Sequence, residues 1–228
     1  MENKRTINIS INQLVDFSTA TDSKKRRIIR DQKSPDTFKV AWYQTPRACI
    51  KKAIVNNGGS DPIFEGIERL KTRIAKKPQQ IQNRAVSLEA MQRFLNIKLP
   101  IIFKNHSCEP IKERLVKSTF VNGVEVIVSP DIIYKIVLGG KAYLGAVKLH
   151  ISKNNVFDTK KSSKVSAILY KYMKELSENY EAEVLPELCF SIDIFGERAV
   201  TTPLNFSSSI LELEVICEEI KFLWPTVA

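Results

Sequence analysis

The chain is poor in the residues that build metal and redox sites. Its 228 residues include 2 histidines, His106 and His150, and 4 cysteines. No two of Cys49, Cys108, Cys189 and Cys217 form a CxxC pair. That spacing speaks against a structural zinc site and predicts reduced, mostly buried thiols. Long hydrophobic runs are missing too, so the sequence predicts no bilayer span and no membrane partner. The first residues, Met-Glu-Asn-Lys-Arg-Thr, lack the apolar stretch of a signal peptide, which leads to an expectation of a cytoplasmic or nucleoid-associated protein. Repeats and low-complexity tracts are absent.

A hydrophobic fraction of 43% is enough for a core, in one large domain or two small ones. The net charge of +10 is unevenly placed. Residues 1–84 carry 18 Lys/Arg against 8 Asp/Glu, and residues 85–228 carry 17 of each. This asymmetry predicts a basic, polyanion-facing module at 1–84 joined to a neutral core at 85–228. DNA is the expected partner, because cationic charge drives nonspecific binding to phosphate. The densest basic run is Lys24, Lys25, Arg26, Arg27 and Arg30. The same lysines would also keep a helical surface solvated. Trp42, Tyr43 and Arg47 could stack on bases, although such a pair more often packs into a small helical core.

Periodicity divides the chain. Residues 7–84 read as short helices: one capped by Ser10 or Asn8, one opened by Asp22-Ser23, one by Thr45-Pro46 and one from Asp61-Pro62 to Lys76. Pro78 is expected to end that last helix, and Ser87 to cap another carrying Leu88, Met91, Phe94 and Leu95. From about Leu99 the pattern turns β-rich, with strands expected at 115–121, 124–137 and 142–151 and a hairpin at Asn122-Gly123. Ser162-Ser163 is expected to start a helix with Val165, Ile168, Leu169, Tyr172, Met173 and Leu176 on one stripe. Leu188 to Ile194 reads as a strand, Gly196 turns the chain toward residues 199–202, and Ile210 to Leu223 reads as a closing helix. The predicted class is α/β, in the α+β sense, with order α-β-β-β-α-β from residue 85.

That order carries Ser129-Pro130-Asp131 on its second strand and Gly145-Ala146-Val147-Lys148 on its third. Over residues 85–205 the chain therefore resembles the PD-(D/E)XK superfamily of restriction-endonuclease-like nucleases. The resemblance implies a mixed-sheet core with flanking helices and Mg²⁺- or Mn²⁺-dependent phosphodiester hydrolysis of DNA. A host-defence setting follows only by analogy. In this pattern Asp131 would hold the metal and Lys148 would orient or deprotonate water. The family's second acid falls on Ala146, which supplies no ligand oxygen. A hard cation is usually held by two or more carboxylates, so an acid must come from elsewhere. Glu89, on the helix before the sheet, is one candidate. Glu125 shares strand parity with Asp131 but stands roughly 20 Å away along an unbent strand. His150 shares parity with Lys148.

Taken singly, Pro-Asp also marks bulges and turns, and a lysine near a strand end is also a solvated edge residue. Lys160, Lys161 and Lys164 cluster at a helix N-terminus, where phosphate is favoured, or simply line a solvated turn. Two readings follow: a metal-dependent deoxyribonuclease, or a lapsed relative that binds DNA or assembles with other protein subunits. A helical transcriptional regulator is a third, weakened by the lack of a recognition-helix pattern.

Overall fold

The computed structural model describes residues 6–34, 42–112 and 116–227. The protein has a mixed α/β fold with two sheets. The smaller sheet pairs β1 (Asn8–Ser10) in parallel with β4 (Val124–Ile127), which pairs antiparallel with β3 (Ser118–Val121). The larger has the order β2-β5-β6-β7-β8, with β2 Glu109–Pro110, β5 Ile132–Leu138, β6 Lys141–His150, β7 Glu183–Asp193 and β8 Arg198–Thr201. Among the described residues no helix is long and apolar enough to cross a membrane.

Local chemistry explains the turns. Asn122 and Gly123 take positive φ angles of 46° and 75°, as the tight β3–β4 hairpin requires. Gly139 and Gly140 do the same between β5 and β6. Strand β6 then runs parallel to β7 through the crossover helix α7 (Thr159–Ser177). Asp158 caps α7 by accepting the Lys161 amide at 2.7 Å, and the predicted stripe from Val165 to Leu176 is buried. The helix thus starts before Ser162-Ser163.

The sheet's two faces carry two cores. On one, Leu144, Ala146 and Cys189 join α7, α8 (Phe206–Leu223), α1 (Ile11–Phe17), α2 (Asp22–Lys33) and the small sheet. On the other, Ile132, Tyr134, Val147, Leu149 and Phe190 meet α3 (Gln44–Val55), α4 (Asp61–Thr72), α5 (Pro78–Asn96) and Phe103 of the short α6 (Ile102–Asn105). Both cores draw on residues before and after position 84.

Three local expectations are corrected. The strand expected at 124–137 is two strands in different sheets, because Ser129 has φ +41° and Pro130 has no N–H to donate to a ladder. Pro78 opens α5 rather than ending α4, which stops at Thr72, because proline at a first helical position loses no hydrogen bond. Ser87 therefore lies inside α5, its hydroxyl bonded to Asn83. Of the strand expected at 115–121, Leu115 lies outside the described residues.

Candidate functional site

The β5–β6 ladder ends on the pair Ile132–Val147, which leaves Asp131 near enough to Lys148 for its charge to act on the ammonium. The Asp131 amide donates to the Val147 carbonyl at 2.8 Å. Its side chain is only 6% exposed and both oxygens are engaged. Oδ2 accepts the Leu149 amide at 2.8 Å, and Oδ1 accepts the Arg47 guanidinium from α3. Lys148 Nζ donates to the Ser129 carbonyl at 2.8 Å. Burial pulls the Lys148 ammonium down to about 8, with Asp131 opposing the shift and Arg47 adding to it.

The other acids expected here stand apart. Ala146 is fully buried in the α7-side core beside Cys189. Glu89 on α5 accepts Lys153 Nζ at 2.7 Å and Arg93 Nε at 3.1 Å. The Lys153 hydrogen bond, and then that of Arg93, hold its carboxyl below the usual range. Glu125 sits on β4 in the other sheet and accepts the Ser118 hydroxyl at 2.7 Å; the break at Ser129-Pro130 removed the shared strand. Among the described residues no three His, Cys, Asp or Glu side chains converge. The donors around Asp131 do not fit an Mg²⁺ or Mn²⁺ site: among the described residues a single carboxylate is present, and a guanidinium and a backbone amide already occupy its oxygens.

His150 belongs to a buried polar network. Its ring stacks on Phe157 at 3.6 Å, and Nε2 lies 2.6 Å from the Asn155 carbonyl, the geometry of an N–H donating to it. Burial lowers its pKa. Asp193 accepts the Phe157 amide at 2.8 Å, and Asp16 of α1 accepts Asn155 Nδ2 and, at 2.9 Å, Lys161 Nζ. These bonds tie the segment after β6 to α1 and α7.

The predicted cation clusters fare unequally. At the start of α7, Lys161 pairs with Asp16, Lys164 lies 2.9 Å and Lys160 3.9 Å from Glu212, and the Asp158 carboxylate already fills the helix terminus. On α2, Lys25 pairs with Glu219 at 2.6 Å. Lys24, Arg26, Arg27 and Arg30, with Thr21 and Ser23, instead line a depression of about 380 Å³. Tyr43 packs edge-on against Phe195 at 6.0 Å, and Arg47 serves Asp131, so neither is a free stacking platform.

One feature escaped the sequence reading. Beside Asp131 a groove of about 680 Å³ is rimmed by Lys51 and Lys52 of α3 with Lys112 and Lys117. The adjacent pair Lys51-Lys52 was its only signal, since the other two lysines come from separate segments. No protein-family model matches the chain, and no curated protein matches it.

Proposed function

We propose that the protein binds DNA through its phosphates without hydrolysing it, using a sheet that resembles a PD-(D/E)XK core. The observation that carries this reading is the state of Asp131. Its carboxylate is neutralised by Arg47 and fixed by the Leu149 amide, directly beside a groove rimmed with lysine. Hydrolysis of a phosphodiester needs charge held where negative charge develops. Among the described residues Asp131 has no second carboxylate to share a cation. Binding needs only cations that face phosphate, and both the groove and α2 supply them. The β5–β6 hairpin followed by crossover α7 and parallel β7 supports the nuclease-like architecture.

The test incubates the whole protein with labelled duplex and single-stranded DNA, in Mg²⁺, in Mn²⁺ and in a chelator. Expected are binding that weakens steeply with salt, equal binding with and without metal, and intact DNA. Replacing Lys24, Arg26, Arg27 and Arg30 by alanine should flatten the duplex salt slope by up to about 3.6. Metal-dependent cleavage that disappears in Lys148→Ala would overturn the proposal in favour of an active nuclease.

A further inference from the structure

Resting on that DNA-binding reading, we infer that the groove beside Asp131 is a seat for single-stranded nucleic acid, distinct from the cationic face of α2. Its rim and its floor differ in chemistry. The rim holds Lys51, Lys52, Lys112 and Lys117, none with an ion-pair partner among the described residues. The floor is apolar, formed by Pro110, Ile111, Pro130 and Ile133. Among the described residues the one acid in the wall, Asp131, is offset by Arg47 and does not repel a phosphate as a free carboxylate would.

A single strand matches both halves. Its phosphates reach the lysines while an unstacked base lies against the prolyl and aliphatic surface, and Asn56 at the groove edge offers an amide that can both donate and accept. A duplex matches only the rim. Its bases stay paired and stacked inside, so presenting one to the floor would cost roughly a few kcal/mol of unpairing and unstacking. The volume lies in the range of roughly 300–1,000 Å³ that encloses a drug-sized ligand, which suits a nucleotide or two of flexible strand. The α2 depression lacks such a floor: cations and hydroxyls line it, and it meets backbone of any form.

Fluorescence anisotropy with a short oligothymidine and a duplex of mixed sequence tests this on the whole protein, comparing wild type with Lys51, Lys52, Lys112 and Lys117 all changed to Gln. The groove variant should lose about a hundredfold in single-strand affinity near about 0.1 M salt, with its salt slope smaller by about 3. Duplex affinity should change less than about threefold, and the thermal melting curve should stay in place because these are rim residues. An unchanged single-strand affinity, or equal losses for both forms, would overturn the inference while leaving DNA binding intact. Wild type that binds neither probe would instead overturn the DNA-binding reading itself.

Discussion

Lys160, Lys161 and Lys164 stand together at the start of α7, and each faces a carboxylate. The Lys51-Lys52 pair of α3, Lys112 and Lys117 come from separate stretches of the chain, and none faces one among the described residues. In the chain the first group stands out as a cluster; in the fold it is the second that lacks carboxylate partners among the described residues. A run of cations measures charge density along the chain, whereas binding depends on charge left over after the fold has placed its acids. The committed cations, Arg47 among them, should therefore govern stability, and the open ones affinity. Substitutions that uncouple these two readouts sharpen the comparison, and any that moves both together breaks it.

The largest effect is expected from placing a new acid on the committed side. Ala146 is fully buried among Leu144, Cys189 and the apolar face of α7. Ala146→Glu would restore the acid of the nuclease pattern, but it would also bury a carboxyl with no partner provided. Such burial costs several kcal/mol, about 4 or more here. Urea unfolding should show this loss, and calorimetry should show no gain of Mg²⁺ affinity. A stable variant that binds the metal would mean that the strand leaves room for a cation after all.

A smaller loss is expected from removing one member of a committed pair. Asp16 is 5% and Lys161 15% exposed at their side chains. Lys161→Ala leaves Asp16 with Asn155 alone and should cost about 3 kcal/mol, because a buried charge loses its counter-charge. DNA affinity, measured well below the new melting temperature, should stay within about twofold. Weakened binding by a fully folded Lys161→Ala protein would put α7 back at the DNA surface.

How much of this was legible depended on distance along the chain. The β5–β6 hairpin, the Asn122-Gly123 turn and the buried stripe of α7 follow from neighbours in sequence, since turn chemistry and periodicity are local. The α+β class followed from them. Partners far apart were not legible. β4 joins β1 across the chain, pairing Glu125 with Asn8, and nothing near Pro130 names that partner. Lys161 finds Asp16, and Asp131 finds Arg47, through the packing of α1 and α3 on opposite faces of one sheet. Pro78 was ambiguous in itself, because proline both closes and opens helices. At the candidate site, the nearness of Asp131 to Lys148 follows from the pairing of β5 with β6. The guanidinium that engages Asp131 was not.

The smallest effect concerns Lys148, which belongs to the committed side although it faces no carboxylate directly. Its ammonium donates to the Ser129 carbonyl, and burial lowers its pKa from an ordinary 10.5 to about 8. The folded protein thus gives up this proton earlier than the unfolded chain does. Below about pH 8 both states hold the proton, and the cost of burying the charge is felt in full. Between about 8 and 10.5 the unfolded chain binds more proton, so this residue makes stability rise with pH across that window. The gain should be on the order of 1 kcal/mol, discounted for the part of the side chain that water still reaches. Lys148→Met removes the titrating group and leaves the others in place. Urea unfolding of both proteins over this range should show wild type gaining on the variant as pH rises, and parallel behaviour below about pH 8. Parallel curves throughout would mean that Lys148 titrates as an exposed lysine, open to phosphate and on the binding side of the comparison. In that case Lys148→Met should also weaken DNA binding, which the committed assignment says it will not.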